Sequence, residues 1–190
     1  MPHRIHPLLE ERTAGVLLHP TSLPGARGTS GVGDLGPAAR KFCDWMRRAG
    51  LKRWQMLPIG PVGAGDSPYS ALSSFAIEPM LASLSDLVSD GWLPASVLRQ
   101  SEGQKKAERG DRSSWSRARK HKLPLLEQAY DNFRQQSRRR RRASTQFQTF
   151  RKRNSQWLDP WTDFAVRQAD PKSSNISAQP EYHAFVQWVL

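Results

Sequence analysis

Two short apolar runs, each ended by a proline, begin the patterned part of the chain. Residues 15–19 precede Pro20 and residues 54–57 precede Pro58, and runs of this length are typical of buried strands. Between them, Pro37 begins a predicted helix, because a missing N–H costs little at the first helical position. Its apolar positions recur on one face, at Ala38, Phe42, Trp45, Met46 and Ala49. Strand, loop, helix and strand in this order predict a βαβ unit.

The second half of the chain is patterned as helices. Apolar stripes predict a helix over 116–133 that is interrupted near Pro124, a second over 143–157 and a third over 161–169. A final amphipathic segment, residues 181–190, reaches the last residue without a cap or turn signal. We therefore expect a chain that is truncated within a structural element.

The cluster Gly31 to Gly36 matches the G-x-G-x-x-G pattern of dinucleotide-binding loops. Two features of its context argue against that function. The preceding strand ends well upstream, near His19, and no acidic residue follows the second strand. We interpret the cluster as a glycine-rich loop between strand and helix, and we predict no cofactor.

One segment of the chain carries most of its excess positive charge. The net charge is +12, from 29 Lys and Arg against 17 Asp and Glu, and the excess is concentrated in residues 99–153. The run Arg138 to Arg142 would bind phosphates electrostatically, so a basic nucleic-acid-binding protein is one alternative function. No aromatic residues interleave the run and no reader motif accompanies it. We interpret it as a solvated turn between two helices and predict no specific nucleic-acid partner.

Cysteine content and hydropathy bear on location. Cys43 is the only cysteine, so no internal disulfide forms, which fits a reducing compartment. No apolar run approaches 18 residues and the N-terminal residues contain no secretory apolar segment. We predict a cytoplasmic protein without a membrane partner.

Candidate chemistry lies in two long loops, one after each predicted strand. The carboxyl ends of parallel strands are where α/β proteins build their sites. The loops are rich in Gly, Pro and Ser, and they also contain Thr, Asp, Tyr and Phe. These groups match neutral sugars, since hydroxyl and carboxylate groups pair with sugar hydroxyls and aromatic rings cover the apolar faces of pyranoses.

Four segments in order resemble the amylomaltases, or disproportionating enzymes, which are 4-α-glucanotransferases of the α-amylase clan. Residues 14–25 resemble the family's opening strand and loop, and 33–37 resemble the start of its first helix. Residues 54–61 resemble its second strand, and 65–76 resemble the loop that follows. Weaker resemblance continues to Leu190, so the chain is identified as a member of this family.

The resemblance implies an α/β fold, the N-terminal part of a TIM (β/α)₈ barrel with a helical insertion. A complete barrel needs roughly 250 residues, so we expect the barrel to be incomplete. We assign residues 1–12 to a leader, 13–100 to the first βα units, 101–180 to a basic, mostly helical insertion and 181–190 to the start of the next barrel element. The sequence makes no prediction of the oligomeric state.

The resemblance also implies the reaction, which is transfer of an α-1,4-glucan segment to the 4-hydroxyl of glucose or a maltodextrin with retention. Such chemistry needs a carboxylate nucleophile and a second carboxyl group about 5–5.5 Å away. No carboxylate in residues 1–190 lies in a matching motif, so we assign no catalytic residue and expect this fragment to be inactive. The alternative within the same family is a non-catalytic glucan-binding remnant.

Substrate-binding residues are implied by the same resemblance. Ser67 would form a hydrogen bond with a sugar hydroxyl and the ring of Tyr69 would stack on a sugar, although Tyr69 could instead pack on its own loop. Asp66 is also a candidate, but for this residue we favour a role in capping or bracing the loop over direct contact with sugar. His19, at the rim of the first strand, is either structural or a ligand contact. The predicted partner is a maltodextrin or α-1,4-glucan, and no metal is predicted.

Overall fold

A computed structural model describes residues 12–24, 31–98, 114–136, 140–169 and 175–190. Residues 1–11 of the predicted leader lie outside these ranges, as do residues 101–113, 137–139 and 170–174 of the predicted insertion. The main elements are β1 (Gly15–Leu17), α1 (Pro37–Arg48), β2 (Arg53–Gln55), α2 (Leu84–Ser89), α3 (Trp115–Gln136), α4 (Arg141–Gln168) and α5 (Pro180–Val189).

The predicted βαβ unit is confirmed. β1 and β2 pair in parallel, with Val16 opposite Trp54, and α1 connects them. A side chain at Gly15 would place its Cβ 2.4 Å from the Arg53 carbonyl oxygen, so the close approach of the two strands requires glycine there. α1 begins at Pro37 as predicted, and Gly50, with φ +71°, turns the chain into β2.

The expectation that the first strand is buried is wrong for part of its length. Leu17 is 60% exposed and Gly15 is also exposed. Within the residues that the structure describes, the sheet contains two strands, and Arg53 and Gln55, which lie opposite Gly15 and Leu17, are exposed as well. This face of the sheet therefore has no covering layer. The apolar pattern of the run identified the strand, but exposure depends on neighbours that a local pattern cannot supply.

The helices differ from prediction at two prolines. α3 continues through Pro124 without interruption, and α4 is one helix through Pro160 where two were predicted. A proline inside a helix removes one hydrogen bond and costs about 3 kcal/mol. Both prolines are exposed, and buried residues on either side, Leu158 and Trp161 around the second, anchor the two halves of the helix in the core.

The core lies between α2 and the helices α3, α4 and α5. Aromatic rings on α3, α4 and α5 meet there edge to face or tilted, with the centroids of Phe133 and Phe185 5.1 Å apart and those of Phe133 and Phe147 5.2 Å apart. α5 therefore packs as part of the same core as α3 and α4. The other rings of this cluster are Trp92, Tyr130, Tyr182 and Trp188.

A buried ion pair joins α3 to the glycine-rich loop. The side chains of Lys122 and Asp34 are both fully buried, with Nζ 3.5 Å from Oδ2. The Lys122 ammonium also donates to the carbonyls of Met80 and Ala82, at 2.6 and 3.0 Å. Burial lowers the pKa of Lys122 and raises that of Asp34, and each charge partly offsets the shift of the other.

The arginine run contributes to the fold. The Arg140 guanidinium lies 4.8 Å from the centre of the Trp92 ring and donates to the Asp90 carbonyl. Arg141 and Arg142 are exposed in the first turn of α4, while residues 137–139 lie outside the described ranges. At least one charge of the run is therefore held by contacts within the chain. Among the described helices, none combines the length and the apolarity needed to cross a membrane.

Replacing Lys122 by Met tests the buried pair. We expect a loss of about 3–5 kcal/mol in the free energy of unfolding, because Asp34 and two carbonyls would remain buried without their partner. Urea unfolding measures the difference, with exposed Lys120→Met on the same helix as control. Adding Asp34→Asn to Lys122→Met should cost less than the two single losses summed. Equal losses for Lys122→Met and Lys120→Met would contradict this account.

Candidate functional site

The two candidate loops leave the sheet side by side, at the carboxyl ends of β1 and β2. The indole N–H of Trp54 donates to the Leu18 carbonyl at 2.7 Å, and His19 Nε2 lies 3.4 Å from the Pro58 carbonyl oxygen. These contacts join the first residues of one loop to the first residues of the other. The parallel sheet therefore brings the two loops together at one edge.

His19 also caps the turn that follows it. Its Nδ1 accepts the backbone N–H of Thr21 at 3.3 Å and lies 2.8 Å from the Thr21 hydroxyl. Because Nδ1 is the acceptor, Nε2 carries the proton that faces Pro58 in the neutral ring. Burial lowers the pKa of His19, and the contact with the Pro58 carbonyl partly offsets this effect. The ring is thus a neutral link between the two loops at pH 7.

The second loop is a folded turn with an acidic residue at its tip. An isolated antiparallel bridge joins Val62 to Ala71 and closes the turn at its base. At the tip, Asp66 has φ +56°, in the left-handed region that few residues other than glycine adopt. The Asp66 carboxylate forms an ion pair with Arg119 of α3. The Asp66 carboxylate is therefore directed toward α3, and the ion pair connects the tip of the loop to that helix.

Ser67 and Tyr69 follow directly, at a short helical turn over Pro68–Ser70. The Ser67 carbonyl accepts the Ser70 N–H at 3.1 Å, which holds the turn together. Tyr69 is 76% exposed, so its ring is available to a ligand. Tyr69 lines a groove of about 560 Å³ whose wall also includes Pro58, the residue that His19 contacts.

A second groove, of about 470 Å³, continues from the first. Ser73 and Phe75 line both grooves, and α4 forms the opposite wall of the second. The Phe75 ring is stacked on that of Trp157, with centroids 6.3 Å apart and planes 18° from parallel. Aromatic and backbone surfaces thus extend from Tyr69 toward α4.

The far end of the second loop is held by two buried side chains. The Glu78 carboxylate accepts the N–H groups of Val62 and Met80, at 2.9 and 3.0 Å. Gln187 of α5 both accepts from and donates to the backbone of Ile77, at 2.8 Å each. Burial raises the pKa of Glu78, while its backbone hydrogen bonds favour the charged form. The loop is therefore fastened to the helical core at its base.

The acidic side chains around the loops already have partners. Asp34 pairs with Lys122, Asp66 pairs with Arg119, Glu78 accepts two backbone N–H groups and Asp86 pairs with Arg40. Arg40 lowers the pKa of Asp86, as expected for an ion pair. In the described ranges, no group of three or more His, Cys, Asp or Glu is placed to hold a metal ion. The arrangement is suited to binding through hydroxyls, carbonyls and rings.

Sequence reasoning did not identify the residues that hold the loops. Arg119, Lys122 and Gln187 are distant in sequence from the positions they fasten, whereas Glu78 lies in the second loop and binds amides of the same segment. A signal was present for Lys122, because this charged residue occupies the same helical stripe as buried Ala118 and Leu126. The sequence carries no comparable signal for Gln187.

The profile of one family, described as 4-alpha-glucanotransferase, matches residues 18–188. The 4-alpha-glucanotransferase of Synechocystis sp. is 35% identical over 181 residues, which cover 95% of this chain and 34% of the relative. That of Thermus thermophilus is 34% identical over 203 residues, covering 94% of this chain and 38% of the relative. The chain thus spans little more than a third of the length of these relatives.

Solved structures show the same fold. The amylomaltase from Streptococcus agalactiae in complex with acarbose superposes with a TM-score of 0.72 at 24% identity, covering 94% of this chain and 39% of that structure. At 24% identity, this structural similarity is evidence of a shared fold and not of a shared function. The fold of the chain is therefore that of the matching part of an amylomaltase.

Acidification tests the role of His19. Because its pKa in the folded state lies below the ordinary 6.5, the unfolded chain binds more protons as the pH falls below 6.5. The stability that neutral His19 contributes is therefore complete above pH 6.5 and declines toward the lowered pKa. The His19→Asn variant keeps a capping oxygen for Thr21 but does not titrate.

We expect the wild-type chain to lose more stability than His19→Asn between about pH 7.5 and pH 5.5. Urea unfolding of both proteins at each pH measures this difference, and titrations common to both proteins cancel. Parallel declines in the two proteins would show that His19 is not the titrating group.

Proposed function

The chain belongs to the 4-alpha-glucanotransferase family, and from this membership we propose that it binds an α-1,4-glucan in the groove beside Tyr69. The observation that carries the proposal is the exposed ring of Tyr69 on the wall of a groove at the carboxyl ends of two parallel strands. Aromatic faces cover the apolar faces of sugars, and such strand ends are where α/β folds build sites. The amylomaltase with the similar fold is in complex with acarbose.

We assign the roles within this groove as follows. Tyr69 stacks on one glucose ring and the Ser67 hydroxyl donates to a sugar hydroxyl beside it. Asp66 acts through Arg119 and braces the loop, and His19 keeps the first loop against the second. Exposure supports the role of Tyr69, the ion pair supports that of Asp66, and the contacts with Thr21 and Pro58 support that of His19. The role of Ser67 is carried over from the family resemblance and from its position at the start of the Tyr69 turn.

We also propose that β1 and β2 are the first two strands of a (β/α)₈ barrel. The parallel pairing and the connection through α1 support this assignment, since barrels are built from such units. In this scheme residues 101–180 are a helical insertion and residues 181–190 lead to the next barrel element. A cytoplasmic location is proposed with it, supported by the single cysteine, Cys43, which is exposed on α1.

Reaction chemistry is proposed for the family scaffold as a whole. Retaining transfer needs two carboxyl groups about 5–5.5 Å apart, one as nucleophile and one as acid and then base. The carboxylates of Asp34, Asp66, Glu78 and Asp86 are engaged by amides or cations. Residues 1–190 are therefore proposed to bind glucan without transferring it.

Two experiments with the purified chain test this proposal. On glycogen or starch resin, we expect the chain to be retained and to be displaced by maltodextrin. On incubation with maltotriose, we expect no release of glucose or longer maltodextrins. Disproportionation at a rate near that of the full-length relatives would contradict the assignment of binding alone. Salt-sensitive retention on DNA without affinity for glucan would favour the basic nucleic-acid-binding alternative.

Substitution of Tyr69 tests the stacking role. Tyr69→Ala should weaken maltodextrin binding roughly two- to tenfold, because an aromatic stack contributes roughly 0.5–1.5 kcal/mol. Unfolding stability should change by less than about 0.5 kcal/mol, since the ring is exposed. Tyr69→Phe keeps the ring and should retain affinity, whereas Ser67→Ala should cost about fivefold through one lost hydrogen bond. Calorimetric titration with maltohexaose measures all three, and unchanged affinity in Tyr69→Ala would rule out stacking.

A further inference from the structure

Arg119 is held from two sides on the first turns of α3. Its guanidinium forms an ion pair with the Asp66 carboxylate, and its Cζ lies 5.6 Å from the centre of the Trp115 ring on the same helix. A cation over an aromatic face loses freedom to reorient. The position of the guanidinium is therefore defined by the helix as well as by the loop.

Asp66 has an unfavourable backbone conformation that requires support. Gly65 and Asp66 are consecutive left-handed residues, with φ of +84° and +56°. Such a conformation costs an aspartate energy and persists where the surroundings hold it. The ion pair with Arg119 is the contact that holds the Asp66 side chain. Ser67 is the next residue, so the direction of the chain entering the Tyr69 turn is set at this point.

The helix that carries Arg119 is itself fixed. Lys122, three residues later, lies on the same face and is buried against Asp34 and the carbonyls of Met80 and Ala82. At the start of α3, a Cβ on Gly31 would lie 2.9 Å from the Ala118 nitrogen, so the helix packs closely on the first loop. α3 thus contacts the first loop through Lys122 and the second loop through Arg119.

We propose that Arg119 is a positioning residue for the glucan groove, which holds Ser67 and Tyr69 in place through Asp66. Through α3, the same residue fixes the spacing between the loops that follow β1 and β2. The role in glucan affinity depends on the function proposed above, whereas the bracing of the loop stands on the ion pair and backbone geometry alone.

Hydrogen exchange of the loop amides tests the brace without any ligand. In Arg119→Gln, amides in residues 61–76 should exchange about 1.5- to 5-fold faster, the range expected for loss of a partly exposed ion pair. Lys120→Gln removes the same charge from an exposed position of the same helix and should leave these amides unchanged. Equal exchange in the two variants would overturn the proposal.

A double-mutant cycle separates the ion pair from general effects of mutation. Asp66→Asn tolerates the left-handed backbone and removes the charge, so it should reproduce Arg119→Gln, and the double variant should be no worse than either single one. Additive increases in exchange would show that the two residues act independently and would also overturn the proposal.

Binding of maltohexaose by calorimetry provides the functional arm. Arg119→Gln should bind about 1.5- to 5-fold more weakly than wild type, with Lys120→Gln unchanged. Faster exchange with unaltered affinity in Arg119→Gln would overturn the role in glucan binding. If the wild-type chain itself does not bind maltohexaose, the proposed function fails, while the exchange data still decide whether Arg119 holds the loop.

Discussion

The ammonium group of Lys122 is shielded from solvent and lies against one carboxylate and two backbone carbonyls. A charge in such a place is tolerated when every partner is present, because its desolvation cost is otherwise several kcal/mol. The arrangement therefore fixes α3 relative to the loop after β1 and to the segment before α2. Since α3 also presents Arg119 to Asp66, the geometry of both loops depends on this one buried contact.

The site that results is built mainly from neutral groups. Rings and backbone line the groove beside Tyr69, while the acidic side chains around it bind cations or amides. A polar, uncharged ligand with apolar faces suits such a surface better than a phosphate or a metal would. Membership of the 4-alpha-glucanotransferase family gives this chemistry a specific context.

Local patterns predicted the βαβ unit and most of the helical sequence, but not the environment of each element. The prolines and apolar spacing around β1, α1 and β2 predicted a βαβ unit because strand and helix periodicity are local properties. The exposure of Leu17 was not predicted, because the burial of a strand depends on packing against residues that are distant in sequence. At Pro160, sequence reasoning divided α4, yet packing of the flanking residues keeps one helix.

The candidate site was predictable to a similar extent. Resemblance identified the two loops, and strand order placed them at one edge, where His19 contacts Pro58. The contacts that hold the loops came from α3 and α5, which no local pattern connects to residues 61–78. Whether Ser67, Tyr69, Asp66 and His19 contact sugar stays a prediction.

The position of Arg119 and Lys122 on α3 restricts how this helix can diverge among related chains. One inserted residue rotates everything that follows by about 100°, because a helix turns once in 3.6 residues. An insertion between Ala118 and Arg119 would carry both cations away from their carboxylates at once, although no side chain had been changed. Point substitutions on the outer face would leave that register intact. Insertions and deletions in the first two turns of α3 are therefore less readily tolerated than substitutions on its outer face.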